Sequence, residues 1–353
     1  MTRIDVSLVT LGDPDTLTGG YLYHRKMAQR AADHAAHLSF VSIPSGGRFS
    51  RLTGVSRRLE EAAGGDAVVL DSIVAAWCAP WLRRISRRVP VIGMAHQPPG
   101  GIEGGRAARN VRARLDRAAY RHMSLLMAAS DALGLALREQ VPGRRVVVVP
   151  PGRDAGPPGG EVTRGEDDGF DILCVGNWVP RKGILDLVDA FSRVDQPGAV
   201  LHLVGRIDAD PAYSRRVFRA LHVEKLTSRV VVHGPLDPTE MPAVYARADV
   251  FVLASSEEPY GTAYGEAMDA GLPVLGWHAG NLPFLAEDGR EGFLLPEGDI
   301  GGLAAALARL ATDEALRLRM GQAARRRAAD LPDWDDTAAA FFGAIHRHLE
   351  RPG

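Results

Sequence analysis

Asp249-Val-Phe-Val-Leu-Ala-Ser-Ser-Glu-Glu-Pro-Tyr-Gly-Thr-Ala-Tyr-Gly-Glu-Ala-Met-Asp-Ala-Gly-Leu-Pro-Val274 is the stretch on which the fold turns. The apolar run from Val250 to Ala254 reads as a strand buried on both faces, as in a parallel sheet. Pro259 and Gly261 mark a loop. Helix-compatible residues follow to Gly271, and Pro273-Val274 opens the next apolar run. Strand, loop, helix, strand is the repeating unit of a parallel α/β sheet. Glu258 falls in the loop after the strand and Glu266 about one turn into the helix, with seven residues between them. In an open α/β sheet the carboxyl edge of the strands is where ligands bind. Two acids there, beside the free N–H groups of a helix start, suit a ligand that carries both hydroxyls and phosphate.

Outward from that stretch the same alternation continues. Strands are expected at Phe170–Val175, Val200–Val204, Val230–His233, Val250–Leu253, Val274–Gly276 and Phe293–Leu295. Helices are expected at Gly183–Arg193, Ala212–His222, Thr239–Ala248, Thr262–Ala270, Gly302–Ala311 and Glu314–Ala329. A second, earlier series has strands at Asp5–Leu11, Leu38–Ile43, Ala67–Leu70, Val89–Met94, Leu125–Ala129 and Val146–Val149, with helical stretches such as Tyr21–His34 and Arg106–His122. Between the two series, residues 151–169 are rich in Pro, Gly and charge and poor in apolar residues, which reads as a linker. The expected organisation is therefore a domain over 1–150, a linker, a second domain over 170–332, and a last helix within 333–353.

Composition fits two domains. The chain has 353 residues, long for one compact core, and 46% are apolar. The 42 basic residues balance 43 acidic ones, which gives no global reason to expect nucleic acid as a partner. No apolar run reaches the length of a membrane span. The opening Met1-Thr-Arg-Ile-Asp-Val-Ser-Leu reads as a strand rather than a signal peptide. Cys78 and Cys174 both lie in apolar runs, as buried free thiols of a reducing cytosol would. A cytoplasmic location is expected, and the oligomeric state is open. The lysines are Lys26, Lys182 and Lys225 alone, so a lysine inside a motif stands out in a chain that otherwise uses arginine.

The acidic stretch resembles the paired-glutamate element of retaining GT-B glycosyltransferases, in particular family 4 (glycosyl transferases group 1). The flanking Ser255-Ser256, Gly261, Glu266-Ala-Met, Ala270-Gly271 and Pro273-Val274 all fall where that family has them. Cys174-Val-Gly-Asn-Trp-Val-Pro-Arg-Lys-Gly183 is similar to the family's strand–loop–helix that carries an Arg and a Lys-Gly pair. Lys182 matches the family lysine. The family's usual arginine is Asn177 here, and Arg181 is a candidate for the second cation. The resemblance is specific over nearly all of residues 170–350. Over 1–150 it is architectural, apart from Gly19-Gly20, which match a glycine-rich loop, and His96, which matches a histidine at a strand end.

The resemblance implies an α/β fold of GT-B type: two doubly wound Rossmann-like parallel-sheet domains facing across a cleft, with a C-terminal helix crossing back to the first domain. It implies a nucleoside-diphosphate sugar as donor and an acceptor glycan, glycolipid or small molecule. Lys182, with Arg181 and Asn177 beside it, would meet the diphosphate. Glu266 would hold the ribose, and Glu258 and His96 the donor sugar. The backbone at Gly261, Thr262, Gly19 and Gly20 would approach phosphate and sugar. Cationic donors are what a diphosphate leaving group requires. No cofactor and no metal are expected: Asp208-Ala-Asp210 reads as a turn and helix cap, and no His/Cys cluster has ligand spacing. A second departure is Phe284, where the family has a glutamate.

Arg106 to Arg121 is a basic amphipathic helix candidate. It is either a solvated face or a peripheral contact with the inner membrane surface. The rival functional readings are an inactive sugar-nucleotide-binding subunit, suggested by Asn177, and a sugar-nucleotide epimerase of the same fold, which would turn over donor with no acceptor. The base, the sugar, the acceptor and the linkage are not legible.

Overall fold

The computed structural model describes residues 2–13, 19–44, 48–102, 104–153, 169–224 and 226–350. Residues 154–168 of the expected linker, residues 14–18 before Gly19, and Lys225 lie outside the described residues. The chain divides into two compact units: unit 1 is Met1–Gly152 with Pro332–Gly353, and unit 2 is Arg153–Leu331.

Unit 1 alternates strictly between strand and helix. Its elements are β1 (Ile4–Leu11), α1 (Gly19–Arg30), β2 (Ala36–Ile43), α2 (Arg48–Ala62), β3 (Ala67–Asp71), α3 (Ser72–Ile85), β4 (Val91–Ala95), α4 (Arg106–Tyr120), β5 (Leu125–Ala128), α5 (Asp131–Gln140) and β6 (Val146–Val148). All neighbours pair in parallel, in the order β2-β1-β3-β4-β5-β6. β3, β4 and β5 are buried along their whole length, which explains their unbroken apolar sequence. Their side chains join Val55, Leu59, Val74, Cys78 and Leu82 of α2 and α3 in one core. From β1 the chain crosses one way to β2 and then returns past β1 to β3. The switch point of this sheet is thus the gap between the carboxyl ends of β1 and β3.

Unit 2 repeats the alternation with a different order. Its elements are β7 (Asp171–Val175), α6 (Ile184–Ser192), β8 (Val200–Val204), α7 (Pro211–Val223), β9 (Val230–Gly234), α8 (Met241–Arg247), β10 (Val250–Leu253), α9 (Thr262–Asp269), β11 (Val274–Trp277), α10 (Leu282–Leu285), β12 (Gly292–Leu295), α11 (Ile300–Thr312) and α12 (Glu314–Ala329). The parallel sheet runs β12-β11-β10-β7-β8-β9, so its switch point lies between β7 and β10. The core spans both sheet faces, with Phe191, Phe251, Trp277 and Leu307 among its buried members.

The last helix, α13 (Trp334–Leu349), packs inside unit 1. A reciprocal cap between Asp333 and Asp336 starts it. Phe342 stacks on His34 at 5.6 Å, Phe341 and Trp334 meet the edge of Tyr23, and the Thr337 hydroxyl donates to the Pro150 carbonyl at 3.0 Å. The expected helix Tyr21–His34 is interrupted. It is α1 followed by a 3-10 turn over Ala31–His34, ended by Ala35 in a left-handed conformation (φ 50°). The chain reverses there within one residue to begin β2, which a continuous helix would not permit.

Candidate active site

The polar side chains of unit 2 gather at its switch point, and the backbone explains how. After β7 the chain folds through a 3-10 turn, Pro180–Lys182, and leaves it at Gly183 with φ 64°. A Cβ at Gly183 would overlap the carbonyl of Ala254 at the end of β10, so only glycine lets this turn press against that strand. The contact is secured by the Arg181 carbonyl, which accepts from Ser256 N at 2.9 Å and from the Ser255 hydroxyl at 3.0 Å. Lys182 thereby donates to Glu258 through Nζ and Oε2. Arg181 Nη1 lies 3.9 Å from the same oxygen and donates to the Glu257 carbonyl at 3.0 Å.

The Lys182 and Glu258 side chains are 12% and 11% exposed and that of Arg181 24%. Two cations thus face one carboxylate in a partly dry crevice, leaving a net positive charge where screening by water is reduced.

The loop bearing Glu258 is held from its other side too. Its carbonyl accepts from Asn281 N at 2.9 Å, and Asn281 Nδ2 donates to the Tyr260 carbonyl at 2.9 Å. Gly261 then turns the chain into α9 with φ 80°, and no side chain caps that helix. The N–H groups of its first turn, beginning at the exposed Thr262, carry the positive end of the helix dipole. Glu266, also exposed, follows on α9 and accepts from the Tyr245 hydroxyl at 2.7 Å. Burial first, and then the Glu266 charge, pushes the Tyr245 phenol well above its usual range, so it remains a donor.

Asn177 is occupied elsewhere: its Oδ1 accepts from Arg206 N at 3.2 Å, tying the loop after β7 to the loop after β8. Tyr245 and Asn281 had no expected role. Nothing local marks them, because each acts through a partner distant in sequence.

His96, Gly19 and Gly20 belong to unit 1. His96 follows β4 and is 8% exposed, and Gly20 lies against its ring. Its Nε2 is 3.2 Å from Nε2 of His24, which is 2.9 Å from Oδ2 of Asp71, and Thr10 donates its hydroxyl to that same oxygen at 3.2 Å. Asp71 also caps α3 by accepting from Ile73 N at 3.0 Å. Burial alone would raise the Asp71 carboxyl, but the hydrogen bond and charge of His24 and the charge of His96 outweigh it and hold the group well below its usual range. Burial pushes His96 down to about 3, so its imidazole is neutral at physiological pH.

Asp210 caps α7 by accepting from Ala212 N and Tyr213 N at 3.0 Å, and Asp208 pairs with Arg206. α4 exposes Val111 and Leu115 between arginines, while Arg112 turns toward the buried Asp116 at 3.7 Å. Among the described residues no helix is long and apolar enough to cross a membrane. A recess of about 990 Å³ lined by His278, Phe284, Arg290, Arg326 and Asp330 includes neither Lys182 nor Glu258. Arg290 in its lining pairs with its neighbours Glu287 and Glu291 at 3.3 Å, whereas the charged groups of the switch point converge from separate segments, which makes the switch point the better candidate site.

Known proteins resemble this chain in sequence and in fold. Residues 2–152 match the family described as glycosyl transferase 4-like domain, and residues 169–313 match glycosyl transferases group 1. Glycogen synthase of Mycobacterium tuberculosis is 31% identical over 268 residues, which cover 71% of this chain and 62% of that protein. D-inositol 3-phosphate glycosyltransferase of Streptomyces avermitilis is 36% identical over 139 residues, 36% of this chain and 30% of that protein. The chain thus spans less than two thirds of the length of these relatives. Sucrose-phosphate synthase from Thermosynechococcus elongatus superposes with a TM-score of 0.82 at 22% identity, over 98% of this chain and 99% of that one. Anabaena HepE, solved in complex with UDP, gives 0.80 at 20% identity, over 98% and 100%. With two parallel α/β sheets of GT-B type, and with family matches over both series of strands, the chain belongs to the group 1 glycosyl transferases.

Proposed function

We propose that this chain is an enzyme that moves a sugar, with retention of anomeric configuration, from a nucleoside-diphosphate sugar to an acceptor hydroxyl. The observation that carries this reading is the meeting of Lys182, Arg181 and Glu258 at the switch point of the unit 2 sheet. In the reaction, the bond from the anomeric carbon to the diphosphate breaks. The acceptor oxygen bonds the same face of that carbon, and its proton passes to a phosphate oxygen of the leaving group. Lys182 and Arg181 stabilise the charge that grows on the diphosphate. The uncapped start of α9, at Gly261 and Thr262, binds phosphate oxygens through its N–H groups. Glu266 takes the ribose hydroxyls and Glu258 orients the sugar. Catalysis is then positioning and electrostatics, with no metal required.

Gly19, Gly20 and His96 are assigned to the donor sugar by family resemblance alone, and Asn177 acts through the loop it ties. Unit 1 supplies the acceptor site, for a glycan, a glycolipid or a small molecule, and the enzyme works in the cytoplasm.

A thermal-shift panel of nucleoside diphosphates and their sugar conjugates tests this. A ligand that binds only the folded protein raises its Tm by mass action. UDP belongs first in the panel, because HepE was solved with it. Uptake of a sugar nucleotide, with release of nucleoside diphosphate only when acceptor is present, supports transfer. Turnover with no acceptor supports the epimerase, and binding with no turnover supports the inactive subunit.

One observation favours peripheral membrane contact in addition. Val111 and Leu115 are 59% and 46% exposed on α4, a helix that also carries Arg106, Arg109, Arg114 and Arg117. Exposed apolar side chains on an arginine-rich helix suit an anionic lipid surface. Co-sedimentation with anionic but not neutral vesicles, lost in Val111→Glu, is the expected result. Equal recovery in both supernatants removes the reading.

A further inference from the structure

We propose that Tyr245 is a positioning residue of the donor site: its buried hydroxyl fixes the exposed carboxylate of Glu266, and the site thereby selects a ribonucleotide over its 2′-deoxy counterpart. The inference rests on the reading of Glu266 as the ribose ligand, and it adds a second residue and a selectivity to that reading.

Tyr245 lies in the last turn of α8, shortly before β10. Its ring belongs to the unit 2 core and is 4% exposed. Phe251 of β10 packs on it, with ring centroids 6.2 Å apart and planes at 40°. The backbone under the ring is fixed as well. Pro242 stands in the first turn of α8, and at its end Ala248 N donates to the Tyr245 carbonyl at 3.2 Å. A close-packed tyrosine holds its oxygen at one point before any ligand arrives.

Glu266 is the opposite kind of residue. It is exposed on α9, and an exposed glutamate samples several rotamers that binding must reduce to one. The Tyr245 hydroxyl donates to its Oε2 at 2.7 Å, joining α8 to α9 across 21 residues. Burial and the Glu266 charge keep the phenol protonated, so the carboxylate is the acceptor. A carboxylate accepts at two oxygens, through about four lone-pair sites, and the bond at Oε2 does not exhaust it. Two vicinal hydroxyls suit such a group, because they bring two O–H donors side by side. A site built to hydrogen-bond a hydroxyl rejects the analogue that lacks it, since a polar group is then left without its partner.

Placement on the helix agrees. Thr262 and Glu266 are both exposed and four residues apart, so they share a face of α9 and stand about 6 Å apart along its axis. The phosphate-binding start of the helix and the anchored carboxylate are thus spaced like the 5′-phosphate and the 2′,3′-diol of one nucleotide.

The test is titration calorimetry of the whole chain with UDP, GDP and ADP, each beside its 2′-deoxy form. Wild type is expected to bind one ribonucleotide about 10-fold or more tightly than its deoxy form. Tyr245→Phe deletes one oxygen and keeps the ring. It is expected to weaken that ribonucleotide about 10-fold and the deoxy form less than about 2-fold, so that the preference disappears. In Glu266→Ala the preference is already lost, and adding Tyr245→Phe changes neither Kd. A merely structural hydroxyl would weaken both nucleotides alike, and that result overturns the proposal. So does wild-type binding without discrimination, or an effect of Tyr245→Phe that is the same with and without Glu266. Should Tyr245→Phe fail to fold, Glu266→Asp decides. It keeps the charge but draws the carboxylate back from the hydroxyl; a lost preference supports the anchor, and a retained one overturns it. Wild-type protein that binds none of the three pairs defeats the donor reading itself, before Tyr245 is altered. A wild-type preference left unmoved in Tyr245→Phe defeats only the role of Tyr245.

Discussion

Unit 1 and unit 2 are both six-stranded parallel sheets, yet their switch points hold opposite kinds of chemistry. In unit 2 the gap between β7 and β10 collects two cations and a carboxylate whose side chains are 11–24% exposed. In unit 1 the gap between β1 and β3 collects two histidines and an aspartate that are 8% exposed or less. The first arrangement keeps charge near water, where a polyanion can reach it. The second buries its polar atoms, where each must be satisfied from within. The same topology thus holds a charged cluster near water in one unit and a nearly dry polar cluster in the other.

The sharpest contrast comes from one substitution in each. Lys182→Ala is expected to lower transfer by about 100-fold or more, the size of effect seen when a charge-stabilising donor is removed. The partly exposed site leaves the melting temperature nearly unchanged. A steady-state assay and a melting curve on the same sample check both halves, and normal turnover would remove the proposed clamp. Asp71→Ala is expected to behave in reverse. It removes the partner of His24 and the cap of α3, and breaking a buried pair costs about 3–5 kcal/mol. Chemical denaturation of the variant measures it. A midpoint like that of wild type would erase the difference between the two sites.

Gly183→Ala tests whether the unit 2 site depends on one backbone approach. Positive φ and the collision with Ala254 together predict a loss of about 2 kcal/mol, with transfer reduced as Lys182 moves away. Unchanged transfer would show that Lys182 is positioned by other means.

The smallest expected signal is in the native thiols. Burial pushes Cys174 up to about 12 and raises Cys78 as well, so neither is a thiolate at neutral pH. Little reaction with a disulfide reagent is expected until the protein unfolds. Cys78 lies in unit 1 and Cys174 in unit 2, so the order in which they react during denaturation reports which unit opens first.

Much of this could be read from residue order. Strands Val200–Val204 and Val250–Leu253 have the bounds expected from their apolar runs. Most others differ by one or two residues at an end, where capping and not hydrophobicity sets the limit. The helices least legible were α3 and α5. Ser72–Ile85 carries Pro80 in its interior and an almost wholly apolar first turn, so periodicity alone does not separate it from a strand. The acids at Glu258 and Glu266 and the cations at Arg181 and Lys182 were visible because each sits in a local strand–loop–helix pattern. His24 and Asp71 were not. A histidine inside a helix and an aspartate at the end of an apolar run look like a solvated residue and a helix cap, and Asp71 is indeed also a cap.

Sequence by itself determined the two series of parallel strands, the break between them, and the loops that carry the charged groups, because periodicity, turn residues and strand-end position are properties of neighbours along the chain. Tertiary structure alone decided which of those groups meet. Lys182 and Glu258 are 76 residues apart, as His24 and Asp71 are 47 and His24 and His96 are 72. Each pairing is set by strand order in the sheet, and strand order comes from packing helices on both faces, which no local window of sequence contains.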